Sequence, residues 1–219
     1  LHRGERCILV CNGPSLNRMD LSFLRNEVVF GLNKIYLGLS KFDFYPRYMV
    51  AVNRKVIAQS ADALRAMNCV KFISDRGTDL MPEDAQTYRI RTKDMTGRFY
   101  GDITEGVREG HTVTHAALQI AYFMGFRQVV TIGMDHNFTQ SGPPNAELEM
   151  RGADPNHFSP DYFRGNKWDA PNLAESEISY RAALAAFSAA GRDIVDATDG
   201  GHCQVFPKED ERSFFGLKD

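Results

Sequence analysis

The sequence predicts an α/β fold: a Rossmann-like, mostly parallel sheet with helices on both faces and a long inserted loop or lid. Three observations carry that expectation. Short runs rich in Val and Ile alternate with longer stretches at helical spacing, the pattern of a parallel sheet covered by helices. The first run, Cys7-Ile8-Leu9-Val10-Cys11, is continuously apolar, as a strand buried on both faces must be. Several runs end in Asn or in a Gly-containing turn, the place where such sheets gather ligands.

Along the chain, residues 7–11 form the first strand and Asn12-Gly13-Pro14-Ser15 breaks it. A short helix near residues 20–25 leads to a second strand at 28–32, ended by Asn33. The third strand, 48–52, is ended by Asn53 and feeds a helix over 55–67 that keeps Val56, Ile57, Ala61, Leu64 and Met67 on one face. Residues 70–74 read as a fourth strand, and 87–91 as a short strand inside an irregular polar stretch. A helix over 112–124 opens at Thr112 or Thr114 and stops at Gly125. The strand at 129–132 ends in Gly133-Met134-Asp135. Residues 136–172 lack periodicity and are expected to be a long loop or lid-like insertion. A helix over 173–190 and a last strand at 193–197 complete a single nucleotide-binding domain spanning 1–219.

Composition narrows the function classes. A formal charge of −2 gives no net basic field for a long polyanion, so nucleic acid is not an expected partner. Cys7, Cys11, Cys69 and Cys203 lack the paired spacing of a zinc site or redox couple and read as reduced core thiols. No apolar run approaches the roughly 18 residues of a membrane helix, and the first residues do not read as a signal peptide. The expectation is a cytoplasmic protein; docking at the inner face of a membrane and homo-oligomer formation are left open.

The polar strand ends supply the candidate site. Asn12, Asn33 and Asn53 each offer donor and acceptor atoms suited to ribose hydroxyls, a base or phosphate oxygens. Any one of them could simply cap a helix or turn, but three strand ends sharing the residue favours a site. Gly13 permits close backbone approach, and Ser15 can cap a helix or point its hydroxyl at a phosphate. The turn is neither a dinucleotide fingerprint nor a Walker loop. Thr112 and Thr114 could form a second anion site or simply cap their helix. Asp135 stands where a metal-binding, ribose-binding or general-base carboxylate is often found, against the alternative of a turn cap. His157 is a loop histidine able to take a hydroxyl proton near neutral pH, although a lone loop His is more often merely solvated. The other histidines, His111, His115, His136 and His202, make no metal motif. Tyr162, Phe163 and Trp168 suit a lid over a sugar or base, or a mini-core of the insertion.

Cys11-Asn12-Gly13-Pro14-Ser15-Leu16, Asp20-Leu21, Phe30-Gly31-Leu32-Asn33 and Thr131-Ile132-Gly133-Met134-Asp135, in that order, resemble the bacterial lipooligosaccharide sialyltransferases. They also resemble the related proteins named after the archaeal 6-hydroxymethylpterin diphosphokinase. The sialyltransferase resemblance implies a CMP-sialic-acid donor, a glycan acceptor, no required cofactor or metal, and transfer with inversion. It implies that Asn12, Gly13 and Ser15 line the phosphate and ribose, with Asn33 and Asn53 nearby. Thr112 then falls beside the sugar, Gly133 and Asp135 meet the cytidine or ribose, and His157 is the general base. The sequence departs from that pattern just after Asp135: His136, Asn137 and Phe138 replace the family's tyrosines, leaving Asn137 or Tyr162 to serve the departing phosphate. The alternatives are a Mg²⁺-dependent pyrophosphokinase, with carboxylates such as Asp135 and Asp154 holding the cation, and a nucleotide-binding relative without activity.

Overall fold

The computed structural model describes residues 1–139 and 142–217. The chain opens with β1 (Arg6–Val10), β2 (Val29–Leu32), a single helical turn α1 (Leu39–Phe42), β3 (Tyr48–Ala51), α2 (Arg54–Ala66), β4 (Val70–Ser74) and β5 (Thr87–Ile90). It continues with α3 (Val113–Met124), β6 (Gln128–Ile132), β7 (Glu147–Glu149), β8 (Lys167–Asp169), α4 (Leu173–Ala189), β9 (Asp193–Asp196) and α5 (Glu211–Phe215). Seven strands form one sheet in the order β5-β4-β3-β2-β1-β6-β9, and every pairing in it is parallel. The expected Rossmann-like α/β architecture is therefore present, with strand ends within two residues of those read from the sequence.

Why β1 is apolar throughout follows from its central place. Ile8 and Val10 pack on one face with Val56, Ile57 and Leu64 of α2, while Cys7, Leu9 and Cys11 pack on the other with α3 and α4. Small residues let α3 lie close to the sheet: Ala116, Ala117 and Ala121 are all buried. This helix is capped as its sequence requires, by the Thr112 side chain at the start and by Gly125 at φ 95° at the end. All four cysteines are buried and free.

Three elements differ from expectation. The stretch expected as a short helix near residues 20–25 is a 3-10 turn over Ser22–Asn26, too short for the bonding pattern of an α-helix to propagate. The 136–172 insertion contains the antiparallel ribbon β7-β8, and α5 forms near the C-terminus without any helical period to announce it. Among the described residues, no helix is long and apolar enough to cross a membrane.

The far edge of the sheet is closed by a buried charge. Asp196, fully buried at the end of β9, accepts hydrogen bonds from Thr131 Oγ1 at 3.1 Å, Thr198 Oγ1 at 2.6 Å and Lys208 Nζ at 2.6 Å. Lys208 also bridges to Asp196 as an extra strand-like residue, which pins the C-terminal segment.

β1 lies between β2 and β6, and the chain's course across the sheet reverses there. In an open parallel sheet that reversal leaves a crevice beyond the strands' carboxyl ends.

Candidate functional site

That crevice is a cleft of about 700 Å³ above the ends of β1, β2, β3 and β6. Of the sequence-predicted site residues, Asn12, Gly13, Asn33, Asn53, Thr112, Gly133, Asp135, Asn137, His157 and Tyr162 all line it. Ser15 does not.

The two turns at the switch point are stapled together. Gly13 N–H donates to Gly133 O at 2.9 Å, and Asp135 accepts from the Ser15 N–H at 3.0 Å and the Ser15 hydroxyl at 2.6 Å. The sequence expects close backbone approach at Gly13, and a helix cap or a phosphate contact from Ser15. Gly13 does line the cleft, while the Ser15 hydroxyl meets Asp135. A Cβ at Gly13 would lie 1.8 Å from Asp135 Oδ2, so the missing side chain makes room for that carboxylate. Ser15 is fully buried behind it, with its hydroxyl committed to Asp135. Gly133 is constrained as well, sitting at φ 68° where a Cβ would stand 2.8 Å from the Leu16 side chain. Gly13→Ala is expected to push Asp135 out of place and to destabilise the chain, with urea unfolding as the readout. A Gly13→Ala protein as stable as the parent would show that the staple is dispensable.

The three asparagines share the cleft but not the same freedom. Asn53 is spent locally: its Oδ1 accepts from Lys55 N–H at 2.8 Å as the cap of α2, and its Nδ2 donates to Asp169 at 3.1 Å. Asn12 donates to Leu32 O at 3.1 Å, which leaves its Oδ1 buried with no partner. Asn33 adopts a left-handed conformation at φ 49°, and its Oδ1 is likewise buried and unpaired. β1 and β2 pair with Val10 opposite Gly31, so continuing that register sets Asn12 and Asn33 side by side. Buried polar atoms are nearly always bonded, and an unpaired one calls for a partner. Because both orphans are acceptors, the group that satisfies them must donate, as water, a hydroxyl or an amine does and a phosphate oxygen does not.

Thr112 accepts from Thr114 N–H at 3.3 Å and lies 3.2 Å from the Tyr180 hydroxyl, so it caps α3 while also lining the cleft. Asn137 is exposed to the cleft. His136 contacts Glu177 at 3.2 Å, and burial lowers its pKa from the ordinary imidazole value.

The insertion supplies the remaining wall. His157 Nδ1 sits 2.8 Å from Asp154 Oδ2, whose side chain is fully buried, and its ring stacks on Tyr162 with centroids 3.9 Å apart. Asp154 Oδ1 in turn accepts from Asn156 N–H at 2.9 Å. A buried carboxylate on one ring nitrogen fixes the imidazole's orientation and tautomer and leaves Nε2 as the acceptor. The Asp154 partnership was not recognised in the sequence, although an Asp three residues before a His within a Pro-rich turn is a signal that could have found it. Tyr162, expected as a donor to a phosphate, is instead the floor under His157: it is 1% exposed, its hydroxyl accepts from Lys34 N–H at 3.4 Å, and burial raises its pKa. Phe158, Phe163 and Trp168 are buried with it and belong to the same core cluster as Ile8, Val10 and α2, so these aromatics fasten the 136–172 segment to the sheet rather than forming a separate core. Lys34, unremarked in the sequence, is the tie: its Nζ donates to Tyr162 O at 2.8 Å above the Phe163 ring, and desolvation lowers its pKa to about 8.

The fold and cleft together define a class: an open, parallel α/β sheet protein with a crevice at its switch point. The chain belongs to the 6-hydroxymethylpterin diphosphokinase MptE-like family, whose model matches residues 1–141, from β1 through the turn that carries Asp135. No curated protein matches it. A solved structure, that of MAf glycosyltransferase from Magnetospirillum magneticum AMB-1, superposes with a TM-score of 0.59 at 13% identity over 97% of this chain. The chain spans 34% of that protein's length, and at this identity the likeness is one of fold. Among the described residues, no three or more His, Cys, Asp or Glu side chains are grouped to hold a metal ion.

Proposed function

We propose that the chain is a nucleotide-sugar glycosyltransferase that uses a CMP-sialic-acid-like donor in surface glycan synthesis and inverts the anomeric centre. The observation that carries this reading is the Asp154-His157 pair at the wall of a cleft whose floor holds two unpaired amide oxygens. His157 Nε2 takes the proton of an acceptor hydroxyl as its oxygen bonds to the anomeric carbon. The bond from that carbon to the phosphate oxygen breaks, and CMP departs. A phosphate leaving group needs little acid, whereas a hydroxyl gains from a base, which is why a single histidine suffices. Asn12 and Asn33 meet donor hydrogens of the ribose or base, Asp135 lies beside them, and Asn137 with the Thr112 end of α3 receives the phosphate. Gly13, Ser15 and Gly133 hold Asp135, while Asn53 and Tyr162 shape the wall. The pyrophosphokinase reading draws on the family's name, yet the two carboxylates it assigns to Mg²⁺ already accept Ser15, Asn156 and His157.

A thermal-shift series with CMP, CDP, UDP, GDP and ATP, with and without Mg²⁺, separates the two readings. CMP is expected to stabilise the chain without the cation; stabilisation by ATP alone, and only with Mg²⁺, would overturn the glycosyltransferase reading in favour of phosphoryl transfer. Asn12→Ala is expected to weaken CMP binding without unfolding the chain, because it deletes a polar contact at a strand tip rather than core volume. Equal affinity by calorimetry would remove Asn12 from the site.

A further inference from the structure

A second group of side chains lines the cleft and takes no part in the contacts above: Arg76, Met95, Glu109 and His111. Arg76 Nη2 lies 2.7 Å from Glu109 Oε1, a charge contact without the alignment of a hydrogen bond, so this carboxylate oxygen is buried and still lacks a hydrogen-bond partner. The Glu109 side chain is only 7% exposed. Nδ1 of His111 is also buried and unpaired.

The backbone here is built to present that ring. His111 is held at φ 61°, a conformation non-glycine residues rarely adopt. Two serines of α4 hold the turn, with Ser179 Oγ donating to Gly110 O at 2.8 Å and Ser176 Oγ to His111 O at 3.4 Å. Only glycine fits at position 110, since a Cβ there would stand 2.5 Å from Ser179 Oγ. Strain of this kind persists where the surroundings over-determine it, as they do at binding sites.

We propose that Arg76, Glu109 and His111 form a subsite for an uncharged, hydroxyl-rich sugar ring, with Met95 packed against its C–H face. A hydroxyl can donate to Glu109 and can serve either tautomer of His111, because it both donates and accepts. A carboxylate-bearing sugar is disfavoured, since Arg76 is already paired with Glu109, and burial, with a smaller contribution from the Asp75 charge, already works against the one carboxylate there. This inference rests on the glycosyltransferase reading in one respect: a sialic-acid-like donor carries a carboxylate, so the uncharged ring is that of the acceptor.

The test is saturation-transfer NMR and titration with free galactose, N-acetylglucosamine and galacturonic acid, each with CMP in place. The parent chain is expected to bind a neutral sugar and to reject the acidic one. Glu109→Gln and His111→Asn, the latter chosen because Asn tolerates the left-handed backbone, are each expected to weaken neutral-sugar binding by about tenfold. Their CMP affinity is expected to stay at the parental level. Neutral-sugar binding unchanged in both variants, no neutral sugar bound by the parent, or tighter binding of galacturonic acid than of galactose would each overturn the proposal. Failure of CMP to bind the parent chain sinks the donor reading instead, and the sugar titrations repeated without nucleotide still decide the subsite.

Discussion

His157→Ala is expected to keep parental affinity for CMP while losing about 10²- to 10⁴-fold in turnover, the usual share of a general base. The cause is local. Asp154 holds Nδ1, so Nε2 is the atom left to take a proton, and no other described histidine of the cleft has a buried carboxylate so placed. Asp154→Asn removes the charge and lets the ring adopt the wrong tautomer. It is therefore expected to lower turnover as well, with CMP affinity again retained. Single-turnover transfer from CMP-sialic acid to a galactoside measures both variants. Full activity in His157→Ala would take the histidine out of the chemistry and favour a binding module.

The second large effect is on stability. Asp196→Ala removes a fully buried carboxylate that accepts from Thr131, Thr198 and Lys208, and is expected to cost about 3–5 kcal/mol, as loss of one partner from a buried ion pair typically does. Urea unfolding followed by circular dichroism gives the value. A loss below about 1 kcal/mol, the scale of a surface ion pair, would show that the C-terminal segment does not depend on this residue.

How far the sequence could be read depended on the range of the interactions. β1 and β6 were legible because burial on both faces demands an unbroken apolar run, and α3 because its Thr112 cap and Gly125 stop are local signals. Asn12, Asn33 and Asn53 could be placed at strand ends by the same logic, and the structure brings them to one cleft. Their separate states could not be read, since the partners that spend Asn53 and leave Asn12 and Asn33 unpaired depend on neighbouring strands and on Asp169. That Asp135 takes the Ser15 hydroxyl and the space over Gly13 could not be read, because the two turns lie far apart along the chain. The β7-β8 ribbon escaped notice for another reason. Its strands are three residues each and hold together through the aromatic packing of Tyr162, Phe163 and Trp168 rather than through any periodicity of their own.

The anchoring of the insertion carries a mechanical consequence. Phe158 N–H donates to the backbone carbonyl of Asn12 at 2.9 Å, and Asn17 Nδ2 donates to Phe158 O at 2.9 Å. The segment that bears the imidazole is thus riveted to the tip of the central strand, so peeling it back would tug Asn12 and the cleft floor with it. Under the proposed reaction, ligands would enter and leave by the open side of the crevice while the imidazole stays in place.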